Sequence, residues 1–259
     1  MKTPDISWIG LLFMILLLAV PLAVDYWLRL KMAKDVLVSV ARMLVQLALM
    51  GVFLEYLILW DSLALNILWF FVMVFAASHS AIKRNKLSFR KFWKPIFGAM
   101  ILAVAFSVLY FNALIINVKD LFSARFFVVI SGMILGNSMK GIIIVLDKFY
   151  TNIIKEKHQY FYRLSMGATK HEALRPWVQQ SIRASLQPII ATTATMGLVS
   201  IPGMMTGQML GGSTPMLAIK YQMAIVLVIF VAMVLSVVLA LFFSIRVVID
   251  RNGIVNTLD

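Results

Sequence analysis

The stretch YQMAIVLVIFVAMVLSVVLALFFSI, Tyr221 to Ile245, decides the fold. It runs 25 residues without a charge. A helix of that length rises about 37 Å, enough to cross a hydrocarbon layer about 30 Å thick. The stretch is not alone. Apolar runs of spanning length cover about Ser7–Leu28, Val36–Trp60, Leu63–Ile82, Phe92–Ile116, Phe126–Leu146, Leu186–Leu210 and Lys220–Val248. The reading is an all-α integral membrane protein of about seven transmembrane helices. It forms one domain over residues 1–259. The sixth run holds Pro188, Pro202 and several glycines, so a broken or re-entrant segment is one reading of it.

Composition agrees. The 259 residues are 62% hydrophobic, with a mean hydropathy of +0.93. Soluble domains are nearer half apolar, so a water-soluble enzyme is excluded. The chain has no cysteine, which removes disulfides, thiolate metal sites and cysteine nucleophiles together. A net charge of +13 would suggest nucleic acid in a soluble protein. Here the basic residues lie between apolar runs, without interleaved stacking aromatics, so no nucleic-acid partner is expected. The opening residues carry no pattern of a cleaved signal, and the first run is expected to remain as a helix.

Basic residues set the orientation. With the N-terminus outside, the cytoplasmic segments hold 18 Lys and Arg against 4 in the outer segments. Arg42 and Lys140 fall inside runs. The asymmetry predicts an N-out, C-in chain with an odd number of spans in the cell's inner (plasma) membrane.

The longest polar segment, about 147–185, is where cytoplasmic machinery could dock. Within it, Gly167 is placed to end a helix. Thr169 and Glu172 form Thr-x-x-Glu, a capping box that starts a new one. Pro176 is expected to limit or kink that second, short helix. A coupling helix and an ordinary amphipathic connector both fit this pattern.

Several polar or glycine-rich features lie at membrane depth. Arg42 and Gln46 share one helix face, and Arg42 is close enough to the cytoplasmic end to snorkel. Gly132 and Gly136 form a small-residue face. Asn137 and Ser138 suit either a pathway or interhelical hydrogen bonds. Ser200, Pro202, Gly203, Met204 and Met205 fall in a stretch dense in Gly and Pro. Freed backbone groups there line a transport path or mark close helix packing.

No carboxylate or histidine cluster is available at depth for a hard cation. Met204 and Met205 are weak metal candidates, since thioethers are soft ligands and also ordinary apolar filler. No Gly-x-x-x-x-Gly-Lys-Ser/Thr occurs, so any ATP hydrolysis belongs to another chain. Gly136-Asn-Ser-Met-Lys-Gly lacks the Gly-x-Ser-x-Gly spacing of a nucleophile elbow. A non-transporting scaffold or sensor remains an alternative class.

The motifs Gly132-Met-Ile-Leu-Gly-Asn-Ser-Met139, Leu164-Ser-Met-Gly-Ala-Thr169, Ser181-Ile-Arg-Ala184 and Gly197-Leu-Val-Ser-Ile-Pro-Gly-Met-Met-Thr-Gly207 carry a resemblance. So does Ala218-Ile-Lys-Tyr-Gln222. The chain resembles the FetB-type permease family, UPF0014-like membrane subunits of iron-export ABC transporters. The resemblance implies a homodimer, each copy docked on a separate ATP-binding subunit that holds ATP and Mg. It implies export of a metal ion, iron, from the cytoplasm; a different metal, a chelate or an amphiphile are alternative cargoes. Leu164, Ser165, Gly167, Ala168, Thr169 and Glu172 then look like the coupling helix. Phe161-Tyr-Arg163 departs from the Glu-Ala-Ala triplet of general ABC permeases.

Overall fold

Polar interruptions between the apolar runs become helix ends in the computed structural model, which describes residues 7–249. The elements are α1 (Trp8–Leu16), α2 (Ala19–Leu28), α3 (Ala33–Trp60), α4 (Leu63–Arg84) and α5 (Phe89–Tyr110). A π turn (Phe111–Ile115) extends α5. Then follow α6 (Ala124–Lys155), α7 (Lys157–Ser165), α8 (Lys170–Thr195), α9 (Gly203–Leu210) and α10 (Pro215–Val248). Five helices are long and apolar enough to cross a membrane: α3, α4, α5 with its π turn, α6 and α10. They correspond to five of the seven expected runs.

The other two runs are interrupted. The first is split into α1 and α2 at Leu17–Leu18. Pro21 has no N–H for the Leu17 carbonyl, which accepts from Val20 at 3.2 Å instead. The sixth is broken between α8 and α9, where Gly197 sits at φ +88° and donates to the Ser200 carbonyl at 2.9 Å.

The core lies among α4, α5, α6 and α10, with α8 laid along α6. Without a hydrophobic drive inside lipid, such a bundle is held by close packing. Phe92, Ile96, Met100 and Val104 of α5 are fully buried, as are Ile134 and Ile142 of α6 and Val237 and Ala240 of α10. Among the described glycines, the tightest surroundings are at Gly141. A Cβ there would lie 2.7 Å from Met233 Cε and 2.8 Å from Val237 Cγ2. Gly132 and Gly136 do not play this part within the chain. A Cβ on Gly132 would meet only Met73 Sδ, at 4.0 Å, and one on Gly136 nothing within 4 Å.

The α3–α4 turn is pinned to the start of α6 by one carboxylate. Asp61 sits at φ 33° and accepts from the Ala124 N–H at 2.6 Å, Ser123 Oγ at 2.9 Å and Asn66 Nδ2 at 3.0 Å. The Ala124 N–H, aided by Asn66, Ser123 and the nearby Arg125 charge, holds its carboxyl below the ordinary value of 3.8 despite opposing burial. A depressed folded-state value gives stability that is present above that ordinary value and lost as pH falls through the folded one. Asp61→Asn is therefore expected to destabilise at neutral pH by about 1 kcal/mol, the usual worth of a helix cap. The difference in Tm from wild type, measured in detergent, should shrink as the pH is taken below 3.8.

Candidate functional site

The polar segment folds as two helices joined by a tight turn. Gly167 occupies the left-handed region at φ +88°. Its N–H donates to the Leu164 carbonyl at 3.0 Å, and the Ala168 N–H to Arg163 at 3.1 Å, the double bond pattern that closes a helix C-terminus. Both arms of the capping box at Thr169 and Glu172 are made. Glu172 Oε2 accepts from the Thr169 hydroxyl at 2.7 Å and its N–H at 2.8 Å, and these bonds lower the glutamate's pKa. Ser165, Met166 and Gly167 are exposed at the tip, while Leu164 and Ala168 pack inward.

Trp177 ties this tip to the bundle. Its Nε1 donates to Glu156 Oε2 at 2.8 Å, Tyr160 meets its ring edge-on, and the Arg163 guanidinium lies over it at 5.6 Å. Nothing in the sequence pattern singled out Trp177.

The second helix is not short, which corrects the expectation from Pro176. α8 runs unbroken through Pro176 and Pro188 to Thr195. Those prolines leave the Glu172 and Ala184 carbonyls without their usual in-helix donors. Packing outweighs the loss, because Ala173, Leu174, Trp177 and Ser181 are all buried. The 26 residues of α8 reach about 39 Å. One helix thus joins the capped tip to the break in the sixth run.

At that break lies a cavity of about 560 Å³. Thr193 lies in the last turn of α8 beside it, Met196, Ile201 and Pro202 come from the broken segment, and Met205 from α9. Gln222 and Met223 of α10 close the opposite side, and Gln222 Oε1 is buried without a hydrogen-bond partner. Three thioethers, the Thr193 side chain and one orphaned amide oxygen therefore share a mostly apolar cavity. Met196, Gln222 and Met223 went unread as site residues, although Gln222 stood inside a quoted motif.

The remaining expected residues are dispersed. Ser200 supplies a carbonyl to the break, Gly203 begins α9, and Met204 packs against the core instead of lining the cavity. Asn137 donates to the Met133 carbonyl of its own helix at 2.9 Å, and the buried Ser138 hydroxyl has no protein partner. Neither makes an interhelical hydrogen bond. Arg42 and Gln46 are exposed on α3. No part of the most apolar 18-residue window of that helix is buried within the chain. Among the described residues, no three His, Asp or Glu side chains converge as a metal site.

The chain is similar to known membrane proteins along most of its length. It is 30% identical to the "Probable iron export permease protein FetB" of Escherichia coli (strain K12), over 95% of this chain and 93% of that one. It is 32% identical to the "UPF0014 membrane protein YjkA" of Bacillus subtilis (strain 168), over 74% of this chain and 76% of the other. It is 30% identical to the "Protein ALUMINUM SENSITIVE 3" of Arabidopsis thaliana, over 82% and 75%. No solved structure matches. The model described as "Uncharacterised protein family (UPF0014)" matches residues 8–249, spanning both the capped tip and the cavity. With five helices of membrane-crossing length and this match over nearly the whole chain, the protein is a membrane protein of the UPF0014 family.

Proposed function

We propose that this chain is the permease subunit of an ATP-driven ABC exporter. A separate ATP-binding subunit grips the exposed Ser165–Gly167 tip, and α8 carries its motion to the cavity at the Met196–Pro202 break. The observation that carries this reading is the continuity of α8 from the Thr169 cap to Thr195, beside the cavity. A rigid element joining an exposed knob to a broken membrane segment is what remote coupling requires.

The basic-residue asymmetry supports an N-out, C-in chain, which puts the tip in the cytoplasm. A second copy of the chain covers α3. Arg42 and Gln46 there lie on a helix with almost no partner in its own chain, and such groups at depth face protein or water instead of lipid. Leu198 and Val199, 94% and 82% exposed at the break, suit the same interface.

Iron is the cargo suggested by the name of the E. coli relative. The cavity itself favours a second reading, a chelated or amphiphilic cargo. Its walls are apolar apart from Thr193, the Gln222 amide and backbone, and among the described residues no carboxylate or histidine lines it to neutralise a hard cation.

The test is purification of the protein from native membranes in mild detergent. A stoichiometric P-loop ATPase should accompany it, and hydrolysis by that complex should rise with cargo. A protein that emerges alone, under conditions that keep known transporters intact, favours the scaffold reading.

A further inference from the structure

A second cavity, of about 380 Å³, lies away from the broken segment, between the first turns of α8 and the last turns of α10. Lys170, His171 and Arg175 reach it from α8, and Arg246 from α10. Among the described residues, no acid lines it. Its other walls are apolar and include Leu174, Val178 and Phe242.

This charge arrangement works against the helix. The N-terminus of a helix carries partial positive charge, so cations in its first turn are unfavourable. Lys170 occupies that turn of α8, and Glu172 is its one acid. Glu172 is already held by the Thr169 hydroxyl and N–H. Lys170 Nζ donates to the Ile249 carbonyl at 2.6 Å, which ties the two helix ends together across the cavity. Among the described residues, no acid lining the cavity offsets the remaining positive field of α8, Arg175 and Arg246, and this field suits an added anion.

The apolar wall indicates which kind. Phe242 is 41% exposed on the spanning helix α10, one turn inside Arg246. A group bound to the guanidiniums therefore has lipid-facing surface directly beside it. Guanidinium forks match phosphate oxygens. We propose that this cavity binds the phosphodiester of an anionic membrane phospholipid, with the glycerol and upper acyl chain against Phe242 and Val178. Such a lipid joins the start of α8 to the end of α10, so it fixes the near end of the element that reaches the methionine-lined cavity. The assignment needs the membrane but not the ATPase, so it stands or falls separately from the transport reading.

The test uses native mass spectrometry of the full chain in detergent. Phosphatidylglycerol and phosphatidylcholine with identical acyl chains are titrated in parallel, with millimolar inorganic phosphate as a third arm. Wild type should retain phosphatidylglycerol about 30-fold better, as expected for two basic contacts at a headgroup. R175Q/R246Q should remove most of that preference, and R175K/R246K should keep much of it. Equal retention of the two lipids by wild type overturns the proposal, whatever the variants do. So does an undiminished preference in a folded R175Q/R246Q protein. Displacement of phosphatidylglycerol by inorganic phosphate overturns the lipid assignment in favour of a free anion.

Discussion

Gly167→Pro is expected to abolish cargo transport while leaving ATP hydrolysis by the partner subunit running. Proline fixes φ near −65°, whereas Gly167 stands at +88°. It also deletes the N–H that donates to the Leu164 carbonyl. The turn between α7 and α8 cannot then keep its shape. A misfit of about 3 kcal/mol would leave under one docked tip in a hundred in the native geometry. Ser165, Met166 and Gly167 are exposed and lie outside the membrane-crossing helices, so membrane insertion should be unaffected. Substitutions at this position form a graded series. Asparagine tolerates the left-handed region and should transport nearly as wild type, alanine should fall between, and proline should lose about 100-fold or more. The readout is ATP-driven cargo flux set against phosphate release, in proteoliposomes holding both subunits. Coupled flux by Gly167→Pro would remove the tip from the mechanism.

The same region separates what a sequence discloses from what it hides. Helix ends are local, and Gly167 and the Thr169–Glu172 box declared theirs, because caps depend on backbone conformation and near neighbours. Spanning helices were legible for a similar reason, since a long uncharged run has few other stable solutions. The course of α8 was not legible. Pro176 is a strong local stop signal, and it is outvoted by burial of Ala173, Leu174 and Trp177 against other helices. That contest is tertiary, and no window of the sequence contains both sides of it. Pro21 shows the opposite outcome, where α2 lacks such packing and the helix gives way.

The cavity residues follow the same division. Pro202 and Met205 were marked by the Gly- and Pro-rich stretch around them. Met196, Gln222 and Met223 became site residues only once α10 was laid beside the break. Polar identity was a poor guide to partnership: Asn137 turned to its own helix and Ser138 to nothing.

Gly141→Leu should be the most damaging single substitution to the folded bundle. Sequence spacing drew attention to Gly132 and Gly136, yet the helices α6 and α10 meet at Gly141. Even a methyl group there would stand 2.8 Å from Val237 Cγ2, a branched side chain with little freedom to move away. Met233 Cε, at 2.7 Å, is the flexible end of its chain and can swing aside. Relief therefore has to come from Val237 or from separation of the helices. Overpacking of this kind costs about 1–3 kcal/mol, and a leucine should reach the upper part of that range. That corresponds to a fall of roughly 5 °C or more in Tm for a chain of this size, followed by thermal unfolding in detergent. Val237→Ala opens space at the contact, so in combination with Gly141→Leu it should restore more than 0.5 kcal/mol, about the threshold for direct coupling. Gly136→Leu is the control, because its added Cβ would meet no atom of another helix within 4 Å. In the isolated protomer it should leave Tm near wild type. A loss equal to that of Gly141→Leu would mean that the α6–α10 contact is not centred on Gly141.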